Sequence, residues 1–305
     1  MTSSKKIGYL LAAAAVCMWA VSSGTLVKLT RVDGLTFAAW GGLFGFLYGW
    51  SALAAQRKLH YFRVERSAGW VLVGIAVAHA INVGLFFSAL KLGSVGNATL
   101  SHYIAPILVT CLFAPLLLQE PVSRLTLYLT LISFLGLLLL FIPSLSTHLD
   151  WGLLLGAGSG VAMALHVTLE RKISLLRINP LTVNAYKSSF TCLVFGYFAL
   201  RSLPTTSWFD FAIMTLWGVA ILGLSLQLFQ KALAYIPATH AALITYLEPL
   251  GALLIAAFFW KESITIYTVI GGLLILGSGL VLITRPQPVE QAKVQPLPGA
   301  LSEPS

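Results

Sequence analysis

The chain has 305 residues, 58% of them hydrophobic and only 10% charged, with a formal net charge of +9 and a mean hydropathy of +0.87. Such values lie far outside the range of water-soluble domains and leave a polytopic α-helical membrane protein. A transmembrane β-barrel is excluded too, because its strands read as segments of about 10 residues in strict alternation and no such run occurs.

Most charges fall in short clusters between apolar runs of about 20 residues, the length that crosses roughly 30 Å of hydrocarbon as helix. In chain order these runs predict ten spans, at 7–29, 35–55, 68–90, 95–118, 122–142, 151–173, 180–200, 207–235, 238–260 and 263–283. Lys5 and Lys6 precede the first run, but its apolar stretch outlasts a signal-peptide core and no cleavage site follows. It reads as a retained span. The connections are short, so no soluble domain is inserted. Residues 285–305, rich in Pro, Gln and Ser, predict a disordered tail. Cys17, Cys111 and Cys192 all fall inside spans without metal or disulfide spacing and read as small packing residues.

With the N-terminus in the cytoplasm, the inner segments hold twelve basic residues: Lys5, Lys6, Arg57, Lys58, Arg63, Arg66, Arg124, Arg171, Lys172, Arg177, Arg285 and Lys293. The outer ends hold five, Lys28, Arg31, Lys91, Arg201 and Lys261; Lys187 and Lys231 lie within spans. That asymmetry is the positive-inside bias and places both termini in the cytoplasm. The basic residues therefore set orientation, and no nucleic-acid partner is expected.

ALKLGSVGNATLSHYIAP, residues 89–106, aligns without a gap on ALAYIPATHAALITYLEP, residues 232–249, with six of eighteen positions identical. Tyr103 then falls opposite Tyr246 and Pro106 opposite Pro249; one residue of slippage later Glu120 falls opposite Glu262. The chain divides into 1–145 and 146–284, five spans each. An odd number of spans makes the second copy enter the bilayer from the opposite side. Such inverted-topology repeats typify secondary transporters, whose substrate sites lie near the midplane. Glycines recur every four residues at Gly41, Gly45 and Gly49 and at Gly152, Gly156 and Gly160, which suits close helix packing within a monomer.

Polar groups at membrane depth cost several kcal/mol unless they are paired or face a wet cavity, so they are the candidate site residues. His79, Asn82 and Phe86 share one face of the third span. The fourth span carries His102 and Tyr103 ahead of Pro106; the sixth carries His166, with Glu170 one turn on. Lys187 lies about two turns into the seventh span, and Gln227 in the eighth. Trp19 lies near the middle of the first span, whereas Trp50, Trp70, Trp151, Trp208 and Trp260 sit at span ends, as in an aromatic belt. Tyr246, Glu248 and Pro249 lie together in the ninth. Glu248 admits three readings: a group that titrates during a transport cycle, a direct ligand for an ammonium group, or a cap for backbone freed by Pro249. The first repeat keeps the proline but has Ala105 in place of the acid. No HExxH, GxSxG or P-loop occurs, which argues against an enzyme or a primary pump and implies no cofactor.

TYLEPLGALLIAAFFWKESIT, the ninth-span segment, resembles the signature of the drug/metabolite transporter superfamily in its ten-span, EamA-like branch. SGTLVKLTRVDGLTFAAW and the His79/Asn82 face are similar to the YddG-type aromatic amino-acid exporters within it. The resemblance covers residues 7 to 283. It implies export of aromatic amino acids, or related flat cationic or zwitterionic compounds, across a bacterial inner membrane. It also implies a central cavity lined by spans 1, 3, 4, 6, 8 and 9. Carried onto this sequence, that cavity takes in Trp19, His79, Asn82, Tyr103, His166, Gln227 and Tyr246, and leaves Lys187 outside.

Overall fold

The computed structural model describes residues 3–22, 29–145, 150–261 and 264–285. Among them the chain is helical, with no strand. The long helices are α1 (Ser3–Val21), α2 (Gly34–Ala55), α3 (Arg66–Leu92), α4 (Val95–Leu118), α5 (Arg124–Phe141), α6 (Trp151–Leu175), α7 (Pro180–Ser202), α8 (Trp208–Ala232), α9 (Ala238–Trp260) and α10 (Ile266–Thr284). The expectations for residues 23–29, Glu262 and the tail fall wholly or mostly outside the described residues.

Local chemistry starts these helices where the sequence turns polar. Asp33, Ser94, Ser123, Asp150, Asn179, Ser207 and Thr265 each accept a hydrogen bond from a first-turn amide, satisfying donors that have no partner within the helix. Asp150 also accepts from the Ser94 amide at 2.9 Å, pinning the α3–α4 corner to the start of α6. These backbone donors, Ser94 and Leu153, hold the Asp150 carboxyl below the usual carboxylate range. α4 and α9 end alike, at Gln119 and Lys261, both in the left-handed region with φ of 53° and 58°.

Among the described residues, eight helices are long and apolar enough to cross a membrane, all but α2 and α7 of those named above. α2 is rich in glycine and α7 carries Asn184, Lys187, Ser188 and Thr191, which lowers their hydropathy; every one of those polar side chains is buried. Much of the surface is the reverse of a soluble protein's: Leu10, Leu193, Phe258 and Leu273 are exposed, while His79, His166, Asn184, Gln230, Glu170 and Lys187 are buried. α2 packs chiefly on α7, α3 on α6 and α5 on α10; α4 also lies on α6, α1 on α8 and α9, α2 on α8, and α3 on α7.

The glycine stripes serve these contacts. A Cβ on Gly160 would stand 2.6 Å from the His102 carbonyl oxygen, and one on Gly156 would stand 2.6 Å from that of Ala98, so α4 reaches α6 only because both are glycine. On α2, the Trp217 ring of α8 lies against Gly41, and Gly49 meets Ala185 of α7.

α4 and α9 are both broken. α4 is interrupted at Tyr103 and Ile104, ahead of Pro106, and α9 at Thr245 and Tyr246, ahead of Pro249. Proline lacks an amide hydrogen and crowds the carbonyl four residues back, so each break falls where that residue stops the ladder.

A central cavity with an aromatic wall and a histidine wall

α1, α3, α4, α6, α8 and α9 surround a cavity with about 100 Å³ of space for water. One wall is aromatic. The Trp19 ring lies 4.9 Å from that of Phe229, and Phe87 meets Trp217 edge-on at 5.0 Å. Such offset and edge contacts hold the rings in place. Trp19 is further fixed because its Nε1–H donates to Ser225 Oγ at 2.6 Å.

The rest of the lining is polar, and the two parts adjoin on α3, where Phe86 and Phe87 are neighbours. On α3, His79 stacks at 4.9 Å on His166 of α6, and Asn82 Nδ2 donates to the Ser159 carbonyl at 3.0 Å. Phe86 lies 4.2 Å from the ring of His102, whose Nδ1 is 2.7 Å from Ser159 Oγ. The i, i+3, i+7 spacing of His79, Asn82 and Phe86 puts all three on one helix face, and that face borders the cavity. Glu248 also borders it, at the break in α9, and faces the Tyr103 hydroxyl behind it.

Four other candidates stand back from the cavity. Tyr103 and Tyr246 are buried where the breaks of α4 and α9 cross, with ring centroids 6.2 Å apart. Gln227 accepts a hydrogen bond from the Tyr48 hydroxyl at 2.9 Å, which turns it toward α2. Lys187 reaches Glu170 Oε1 at 2.5 Å and is 1% exposed, so it is a buried ion-pair partner rather than a snorkelling lysine. Pro106 and Pro249 shape the breaks without lining the space.

Conversely, His102, one of the polar candidates at membrane depth, lines the cavity, and so do Met163, Phe87, Trp217 and Phe229, which were not singled out as site residues. The sequence held a signal for two of them, since His102 is polar at membrane depth and Trp217 lies far from a span end. Phe87 and Phe229 carried none, because a cavity phenylalanine and a core phenylalanine look the same in sequence.

One end of the helix bundle is tied shut by a second polar cluster. Arg171 Nε donates to Glu120 Oε1 at 2.7 Å and its Nη1 to the Leu233 carbonyl at 2.6 Å; the Ala238 amide donates to Glu120 Oε2 at 3.2 Å. Those contacts join the ends of α4, α6 and α8 to the start of α9. Tyr9 of α1 adds a 2.7 Å contact to His240 of α9.

The model of the EamA-like transporter family matches this chain twice, over residues 6–142 and 150–285, the segments that hold α1–α5 and α6–α10. The chain belongs to the EamA-like transporter family. It is thus a multi-pass membrane transporter of the drug/metabolite type. An uncharacterized transporter of Archaeoglobus fulgidus is 28% identical over 273 residues, covering 88% of this chain and 94% of its own. A solved crystal structure of another protein superposes with a TM-score of 0.76 at 18% identity, covering 93% of this chain and 100% of that one, and shares the fold. In this EamA-like transporter, the two matched segments contribute α1, α3 and α4, then α6, α8 and α9, to the cavity wall.

Proposed function

We propose that the protein is a secondary exporter that carries aromatic amino acids out of the cytoplasm by alternating access. The observation that carries this reading is the mixed lining of the cavity, aromatic rings together with polar groups. Trp19, Phe87, Trp217 and Phe229 offer flat surfaces to a ring, and His79, Asn82, His166 and Glu248 offer hydrogen-bonding and charged groups to an amino acid's ends. A site for sugar phosphates would need several free cations. Lys187 is tied to Glu170, and Arg171 to Glu120.

The proposal takes all ten helices as spans, in two halves, 1–145 and 146–284, of opposite sense. The helix pairings support it. Exchanging each helix for the one five places along turns α1–α8 into α6–α3, α1–α9 into α6–α4 and α2–α8 into α7–α3, pairs that are all in contact; α2–α7 and α5–α10 map onto themselves. α2 and α7 tolerate their lower hydropathy because they cover each other. With both termini in the cytoplasm of a bacterial inner membrane, the Glu120–Arg171 cluster closes the cytoplasmic end. The monomer then rocks between this arrangement and its mirror in sense, as inverted repeats allow.

The test is counterflow: proteoliposomes preloaded with tryptophan, phenylalanine, threonine or a sugar phosphate, with labelled tryptophan outside. Accumulation driven by the aromatic loads alone supports the reading. Accumulation driven instead by threonine or the sugar phosphate moves the assignment to another cargo of the same family, and no accumulation in folded protein discards the aromatic cargo.

A further inference from the structure

His79 is 2% exposed, and neither of its ring nitrogens has a hydrogen-bond partner among the described residues. A neutral imidazole carries one N–H donor and one lone pair, and burying both unmet is unfavourable unless a ligand meets them. The ring borders the cavity, so the ligand is at hand there. We infer that the His79 lone pair is a shared binding point, taken alternately by the ammonium group of the substrate and by a counter-transported proton. His166, Glu170 and Lys187 set its affinity for the proton. The inference rests on the exporter reading above.

The surroundings of His79 are arranged for this. From α6, the His166 ring stacks on it at 4.9 Å, and His166 Nε2 lies 3.0 Å from Glu170 Oε1. From α7, Lys187 Nζ lies 2.5 Å from the same carboxylate oxygen. From α8, Gln230 reaches only the backbone carbonyl of Glu170, at 3.0 Å. From α4, His102 is engaged by Ser159, and from α9 Glu248 lies across the cavity facing Tyr103. Arg171 points the other way, to Glu120. The charged groups near the His79 ring are therefore one cation, Lys187, which opposes a bound proton, and one anion, Glu170, which lies beyond His166 and favours it.

A proton and an ammonium group cannot both use one lone pair. When the cavity faces outward, water delivers a proton, an N–H bond forms at His79, and the imidazolium repels any ammonium nearby. When the cavity faces inward, the proton passes to water and the substrate ammonium donates its hydrogen bond to the freed nitrogen. Each occupant excludes the other, so outward movement of substrate is tied to inward movement of a proton. Glu170 and Lys187 do not border the cavity, which marks them as positioning residues that act through His166.

The experiment uses the full-length protein in proteoliposomes with a pH-reporting dye inside and a tryptophan gradient. Tryptophan leaving one side should drive protons the opposite way, and the apparent affinity for tryptophan should fall about tenfold per pH unit below a midpoint. Lys187→Met removes the opposing cation and moves that midpoint up by about one pH unit or more; Glu170→Gln removes the favouring anion and moves it down by about as much. Shifts of opposite sign are not what loss of packing produces. If Glu170→Gln fails to fold around an unpaired lysine, the double variant Glu170→Gln/Lys187→Met replaces it, and its midpoint should lie below that of Lys187→Met. Indole-3-propionate, which lacks the ammonium group, should not compete with protons. Shifts that are absent or of one sign, or tryptophan movement without proton movement, overturn the inference. Labelled-tryptophan counterflow at equal pH separates the two failures: counterflow without proton coupling removes this inference alone, and no counterflow removes the aromatic cargo with it.

Discussion

Glu170 and Arg171 are neighbours on α6, both buried, yet they belong to ion pairs of opposite character. Arg171 and Glu120 form a saturated cluster in which the Leu233 carbonyl and the Ala238 amide take up further hydrogen bonds. Glu170 and Lys187 form an open one: Glu170 Oε2 has no hydrogen-bond partner among the described residues, nor has either nitrogen of His79 beyond it. A filled buried network fixes one arrangement of the chain, because each group removed strands another. A network with vacant acceptors next to a cavity is poised for something that comes and goes. The first cluster holds helix ends together; the second lies behind His166, one residue back from the cavity.

If that contrast is right, the largest effect comes from the saturated cluster. Arg171→Met leaves the Glu120 carboxylate buried without its cation and should cost about 3–5 kcal/mol, read as a large fall in the thermal midpoint of the purified protein. The double variant Arg171→Met/Glu120→Gln should recover most of that loss, and no recovery would mean that the pair is not the fastening. His79→Ala should do the reverse. It strands no partner, so stability should fall little, while loss of a hydrogen bond to a charged group, about 2 kcal/mol, should weaken tryptophan binding roughly thirtyfold. Equal affinity for tryptophan in the variant would remove His79 from the site.

Gly41→Ala tests how the aromatic wall is seated. The Trp217 ring, which borders the cavity, lies where the new methyl would go, so the ring must shift. Overpacking of this kind costs about 1–3 kcal/mol, and binding should weaken about tenfold if the ring intrudes on the cargo. Binding curves that superpose on the parent's would show that the ring can yield elsewhere. The smallest effect concerns Asp150, at the rim. Its carboxyl is held below the usual range by two backbone amides, so its contribution to stability is full above that range and is lost as pH falls through the lowered value. Asp150→Asn should therefore lower the thermal midpoint slightly at pH 7 and leave it unchanged at strongly acidic pH; an equal drop at both would point to geometry rather than charge.

Part of the cavity lining could be read in advance because polar residues at membrane depth are few and their helical spacing is simple. His79, Asn82 and Phe86 follow i, i+3, i+7 on one helix, and that face borders the cavity. Tyr103, Tyr246, Gln227 and Lys187 were equally conspicuous, but each turns toward another helix. Glu248 was legible as an oddity, and the structure places it beside the cavity at a break shared by both halves, while its charge belongs to one half alone.

The sequence by itself determined the class of protein and where its helices run, because hydropathy and capping act over one span or one turn and need no knowledge of neighbours. Helix positions, the paired prolines and the glycine stripes are all local features of this kind. Which polar face looks into the cavity and which meets a partner was decided only in the tertiary structure. Glu120 meets Arg171 across 51 residues and Tyr48 meets Gln227 across 179. Such meetings depend on how each helix is rotated about its axis, and that rotation is fixed by the packing of all its neighbours together.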